Sequence, residues 1–250
     1  MVRTAEDLVT AVQGSPDAVT VHDKAAWVGL YARNGEVNDP VGSKPHRGVD
    51  AIGRFYDTFI SPNTINFHVE NDVVSGMSVV RDLSLETIMS TGAVLNVPMH
   101  LRYDLVEENG VLKIWRLAAH WELQSMIRQL LGAGTRGLSA SAKLTPQLVS
   151  NQGVRGVLGF MGGLRSVGAR GKTAALDVLR DPRCPVRDAS GESLSPDVLR
   201  GATYRKLLAA GRIVSASAEL ESGPGVVFVE FSRASLAVDS VTVFAPSRNT

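Results

Sequence analysis

The run from Leu95 to Asp104 sets the strongest limit on the fold. Leu95, Val97, Met99, Leu101 and Tyr103 alternate with Asn96, Pro98, His100, Arg102 and Asp104. Successive side chains of a strand point to opposite faces, so this pattern makes a sheet with one apolar and one polar face. Ile65, Phe67 and Val69 repeat the alternation against Asn66, His68 and Glu70, and Met77 to Met89 can supply one or two more strands. Glu108-Asn109-Gly110 reads as a turn, after which Trp115, Leu117 and Ala119 are expected on one face. A sheet with one apolar face must bury it, and the preceding segments offer the cover. Residues 5–13 and 23–33 read as short helices parted by Gly14-Ser15-Pro16, and Val49 to Ile60 carries Ile52, Phe55, Tyr56 and Phe59 on one stripe. The first half is therefore expected to be α+β, with helices packed into a curved antiparallel sheet around an apolar interior.

The remaining chain repeats this layout in weaker form. Gln124 to Leu131 reads as a helix, Gly132 to Lys143 as a small-residue linker, and Leu148 to Leu164 as a helix with glycines at 153, 156, 159 and 162. No strand precedes those glycines and no Gly-Lys-Ser/Thr follows, so they do not make a phosphate loop; they suit close approach of another backbone. Lys172 to Leu179 is a short helix, Arg187-Asp188-Ala189-Ser190-Gly191 stands where Asn38-Asp39-Pro40-Val41-Gly42 stood, and Ser195-Pro196-Asp197 opens a helix toward Leu208. Strands are expected over Ile213 to Leu220, Val226 to Phe231 and Leu236 to Phe244. This divides the chain into a domain over 1–125, a helix and linker over 126–145, and a degenerate second copy over 146–250. His100, Arg102, Arg116 and His120 point away from the first interior and are expected to meet the second copy, as in a dimer within one chain.

Charge supports that pairing. Residues 1–125 hold 10 Lys and Arg against 16 Asp and Glu, a net of −6, whereas residues 126–250 hold 16 against 9, a net of +7. Opposite fields favour packing of the halves on each other, or a second half that receives an anionic partner. The basic residues are scattered and no basic stripe alternates with aromatics, which argues against nucleic acid. No apolar run is long enough to span a bilayer, and the acidic start lacks the apolar centre of a signal peptide, so a cytoplasmic protein without membrane partners is expected. The single cysteine, Cys184, excludes an internal disulfide and a Cys-based metal site. His68 faces outward by strand count, His22 lies near a helix start, and His46 is expected at the surface. No His, Asp and Glu spacing suits a metal, so none is expected.

Chemistry concentrates at Asn38-Asp39-Pro40-Val41-Gly42-Ser43-Lys44-Pro45, where a carboxylate sits at a strand end before a Pro- and Gly-rich turn. The text YARNGEVNDPVGSKPHRGVDAIGRFY around it resembles the bacterial ketosteroid isomerases, of the NTF2-like (SnoaL-like) superfamily, with weaker agreement at His100-Leu101-Arg102-Tyr103 and Asn109-Gly110-Val111-Leu112. The resemblance covers about residues 20–122 and implies an NTF2-like cone there; with the repeated layout of the second half, the chain is expected to be tandem NTF2-like cones, the second degenerate. It also implies that Asp39 is a general base, taking a proton beside a ketone and returning it two carbons away, a system that is a known worked example of carboxyl pKa tuning. Tyr31 and Tyr56 match tyrosines that support the family's oxyanion donor, and Tyr56 is the expected replacement donor. Met99 aligns with the family's second donor, an Asp, and residues 1–20 hold no tyrosine for the first. Phe55, Phe67, Leu95, Val97, Met99, Trp115 and Leu117, with Tyr31, are expected to line the pocket.

Two functions follow as expectations. The first is a steroid Δ-isomerase-like enzyme acting without a cofactor on a steroid or similar apolar cyclic ketone, with Asp39 as base. The second is a non-catalytic NTF2-like module that holds an apolar ligand or a protein partner. Polyketide-cyclase-like and epoxide-hydrolase-like relatives share the fold, but the hydrolase's Asp-Arg-Asp set has no counterpart around Arg102, Asp104 and Arg116. A homo-oligomer is compatible with either.

Overall fold

The computed structural model describes residues 3–135, 139, 142, 150, 156, 158–233 and 235–246. Parts of the expected linker and much of the expected helix Leu148 to Leu164, with Gly153, lie outside the described residues. Helix α1 (Ala5–Thr20) opens on a capping box in which Thr4 and Asp7 satisfy each other's backbone N–H groups. It continues through Gly14-Ser15-Pro16, where the sequence predicts a break. A Cβ at Gly14 would lie only 3.1 Å from Leu30, and Ser15 accepts a 3.0 Å hydrogen bond from the Trp27 indole. These contacts outweigh the cost of about 3 kcal/mol that an internal proline imposes. Helix α2 (Lys24–Gly29) is shorter than expected, because strand β1 (Tyr31–Asn38) takes over its last residues.

There follow β2 (His46–Arg47), α3 (Val49–Phe55), a π-helical turn (Tyr56–Ile60), β3 (Asn63–Ser75), β4 (Ser78–Met89), β5 (Val94–Glu108), β6 (Val111–His120) and α4 (Leu123–Gly132). The sheet order is β2-β1-β6-β5-β4-β3, antiparallel except for β1 beside β6. On β5 the inward residues Leu95, Val97, Met99, Leu101 and Tyr103 are all buried, as the alternation predicts. Pro98 is tolerated because β6 pairs only up to His100, leaving that edge of β5 without a partner to lose. Trp115 departs from expectation. Arg116 pairs with Asp104 and Ile114 with Leu105, so Trp115 is the extra residue of a bulge and is 41% exposed.

The second half contains α5 (Gly168–Arg180), β7 (Val186–Arg187), a 3₁₀ turn (Pro196–Leu199), β8 (Thr203–Ala210), β9 (Ile213–Leu220), β10 (Gly223–Phe231) and β11 (Val238–Phe244); the helix expected from Ser195 toward Leu208 stops at the 3₁₀ turn, because the residues from Thr203 pair with β9 as β8. Its sheet runs β7-β11-β10-β9-β8, with β7 parallel to β11. Apart from β2, strand order and the single parallel pair correspond to those of the first sheet. Ala175 and Leu179 of α5 pack on Val214, Ala216, Val229 and Phe231, filling one face of this sheet.

The other face meets the first sheet, so β9 and β10 are buried on both sides through their centres. Val73 and Val80 form one cluster with Val226, Phe228 and Phe244. His100 pairs with the hydroxyls of Ser215 (2.8 Å) and Ser217 (3.0 Å), and burial pushes it down to about 4, so it sits here neutral. His120 packs on the Phe228 ring at 4.7 Å, and Arg102 lies 5.0 Å above the Phe244 ring. Of the four residues expected at this face, Arg116 has its charge paired instead with Glu36 of β1. Among the described residues, no helix is long and apolar enough to cross a membrane.

Candidate functional site

The turn after β1 is fixed from three sides. Within it, Asn38 Nδ2 donates to the carbonyls of Ser43 (3.1 Å) and Pro40 (3.5 Å), and the Asp39–Pro40 peptide is cis. From the sheet, the Ala119 carbonyl accepts from Val41 N at 2.9 Å. From the second half, Gly159 accepts from Lys44 N at 3.1 Å, and Gly211 approaches so closely that a Cβ on Gly42 would lie 2.6 Å from its Cα. Only glycines permit that contact, and Gly42 also has φ near +99°.

This holds Asp39 at the wall of a cavity of about 160 Å³, roughly ten times the space one water needs. Among the described residues its one side-chain hydrogen bond is from the Trp121 indole, 2.5 Å to Oδ1. Asp39 is half-buried at this wall, and burial pushes its pKa up to about 6 against the pull of Trp121. The cavity wall is otherwise mainly apolar. Six residues expected there are present: Phe55, Phe67, Leu95, Val97, Met99 and Leu117. Ser15, Val19 and Trp27 close it from α1 and α2, Met126 and Leu130 from α4, and Phe160 from the second half.

Three expectations are corrected. Trp115 lies outside, for the bulge described above. Tyr31 and Tyr56 are buried but do not line the cavity, because the Trp27 ring packs against both, 4.8 Å and 5.5 Å away, and itself faces the interior. His46 is not a free surface residue: it packs on Phe55 at 5.1 Å, and burial lowers it to about 4. The tyrosine that does reach the cavity is Tyr103, the last inward residue of the β5 alternation, with burial pushing its phenol up to about 12. Trp121 and Tyr103 were both within reach of strand counting, since each continues an inward-facing series. Phe160 was not, because its contact depends on how the halves pack. Among the described residues, no group of three or more His, Cys, Asp or Glu could hold a metal ion.

Residues 12–117 match the model of the SnoaL-like domain. Through this half the chain belongs to the NTF2-like (SnoaL-like) superfamily. Similar solved structures include a Δ5-3-ketosteroid isomerase from Mycobacterium sp., 30% identical, spanning 48% of this chain and 96% of that one with a TM-score of 0.44. A Mycobacterium tuberculosis protein in complex with estradiol-17β-hemisuccinate is 25% identical over 48% and 96% of the two chains, also with a TM-score of 0.44. An epoxide hydrolase of the LEH-like type from M. tuberculosis is 14% identical over 55% and 96%, with the same score. No curated protein matches the chain.

Proposed function

We propose that the protein moves a proton within a steroid or similar apolar cyclic ketone, with Asp39 as the base. The observation that carries this reading is a carboxyl with a pKa of about 6 at the wall of an apolar cavity. Such a group is largely ionised at pH 7 yet basic enough to accept a proton, as general base catalysis requires. Starting from a β,γ-unsaturated ketone, Asp39 removes the proton between the carbonyl and the double bond, and the electron pair spreads into a dienolate. Asp39 then returns the same proton to the far carbon, leaving the conjugated ketone. No proton is gained or lost overall, and no cofactor enters.

Met99 favours a second reading, in which the cavity holds an apolar ligand without turnover. It is 3% exposed, lines the wall, and has no proton to donate where the resembling family has an acid. An absorbance assay on 5-androstene-3,17-dione separates the two. Wild type is expected to convert it, and Asp39→Asn to lose about 10²- to 10⁴-fold. If neither exceeds background while the phenolic steroid equilenin still binds, the binding reading stands.

The same proposal treats residues 146–250 as a degenerate second cone and the chain as an intrachain pseudo-dimer in the cytoplasm. The matching strand order and the buried face between the sheets support it.

A further inference from the structure

We infer that Tyr103 is the hydrogen-bond donor to the carbonyl oxygen of the bound ketone, a role that the sequence points to Tyr56 to fill. The inference rests on the proposed function and adds a residue to it. Three observations carry it.

The first is position. Tyr103 pairs with Leu117, and Leu101, the next inward residue of β5, pairs with Ala119. Ala119 in turn holds Val41, two residues beyond Asp39. Tyr103 and Asp39 therefore occupy neighbouring levels of one wall, and both residues line the cavity, with the Tyr103 hydroxyl lying just beneath its surface.

The second is the state of the hydroxyl. Tyr103 has no solvent exposure, and among the described residues its hydroxyl makes no well-formed hydrogen bond. The Ser15 hydroxyl is close enough to draw the phenol down, and its oxygen already accepts from the Trp27 indole. A buried hydroxyl without a partner is a cost that phenylalanine would avoid, unless a ligand supplies the partner.

The third is charge. Arg81 lies close enough to draw the Tyr103 phenol down, Asp39 close enough to push it up, and burial keeps it neutral at pH 7. A neutral O–H in a dry cavity is suited to meet negative charge as it develops on a carbonyl oxygen. Tyr31 is also buried with an unpaired hydroxyl, but it and Tyr56 lie behind Trp27 and do not reach the cavity.

The test measures turnover, melting temperature and equilenin ionisation for wild type, Tyr103→Phe, Tyr56→Phe and Tyr204→Phe. Equilenin places a phenolic oxygen where the dienolate oxygen would sit. Tyr103→Phe is expected to lower kcat about 10²- to 10³-fold with little change in KM. It should also weaken equilenin binding at least tenfold and leave the melting temperature unchanged or higher. Tyr204→Phe removes another buried unpaired phenol, in the second half, and is expected to leave kcat unchanged. Retention of kcat by Tyr103→Phe beside an active wild type overturns the inference, as does a larger loss from Tyr56→Phe. If wild type binds equilenin but does not turn over, the isomerase reading alone fails, and the equilenin comparison still decides for or against Tyr103. Wild type that neither turns over nor binds equilenin overturns both. Should Tyr103→Phe fail to fold, 3-chlorotyrosine at position 103 replaces it: a shift in the ionised fraction of bound equilenin supports the role, and no shift overturns it.

Discussion

Asp39 and Asp188 stand at corresponding places in the two sheets, each just after the strand that runs parallel to its sheet's last strand. Their surroundings are opposite. Asp188 accepts from Ser190 N (2.8 Å), Ser190 Oγ (2.7 Å) and Glu192 N (3.0 Å), and these bonds hold it below the usual carboxylate range. Asp39 has one indole N–H and an apolar cavity, and lies well above that range. The strand frame does not make this difference. The cover does: α1, α2, α3 and the π-helical turn arch over the first sheet and leave space, whereas Leu179 of α5, Leu199 of the 3₁₀ turn and Phe231 join one buried cluster over the second. One frame thus gives a candidate base in one half and a turn-forming cap in the other.

The largest test of this contrast is catalytic. Asp39→Asn is expected to cost 10²- to 10⁴-fold in isomerisation of a β,γ-unsaturated ketone, and Asp188→Asn less than twofold, measured in the same absorbance assay. Equal losses would break the comparison at its root.

Stability against pH should carry opposite signs at the two sites. The folded protein holds the Asp39 proton more tightly than the unfolded chain does, with a pKa of about 6 against 3.8. Its contribution is therefore most favourable below the unfolded value and is lost as pH rises through about 6. Urea denaturation of Asp39→Asn should show a gain of up to about 3 kcal/mol at pH 8 and almost none at pH 4. For Asp188, whose folded pKa is lowered, the contribution is present above the unfolded value and fades as pH falls. A gain for Asp39→Asn that persists at pH 4 would point to packing rather than charge.

The clamp on the Asp39 turn offers a third test. Gly211→Val inserts side-chain atoms where Gly42 already touches, at a backbone with φ near +56°. A stability loss of about 1–3 kcal/mol is expected from overpacking. Turnover should fall by more than tenfold, because displacement of a base by about 1 Å can cost 10²-fold. Unchanged turnover beside the stability loss would show that the second half braces the fold without aiming the carboxyl.

Much of this contrast is written in local pattern. The alternation of β5 identified the inward wall from Leu95 to Tyr103, and the polar set His100, Arg102 and His120 marked the face against the second half. The turn residues marked Asp39. What local pattern misses is set by tertiary contact. The Gly14-Ser15-Pro16 break vanishes because Leu30 and Trp27 pack there, and Trp115 turns out because one residue of β6 is unpaired in register. Tyr56 reads as a pocket residue from its helical stripe, yet Trp27 from another helix stands in front of it.

The smallest effect bears on whether the halves are energetically separate at these two sites. Asp188→Ala removes the hydrogen bonds of a partly exposed turn and should cost about 1 kcal/mol at pH 7, a typical loss for a capping carboxylate. Asp39 and Asp188 share no hydrogen-bond partner: Trp121 serves one, Ser190 and Glu192 the other. The double variant Asp39→Asn, Asp188→Ala is therefore expected to be additive within about 0.5 kcal/mol in urea denaturation. A larger coupling would mean that the packed sheets transmit strain from one turn to the other. The contrast between the two carboxyls would then belong to the assembled chain rather than to the cover over each sheet.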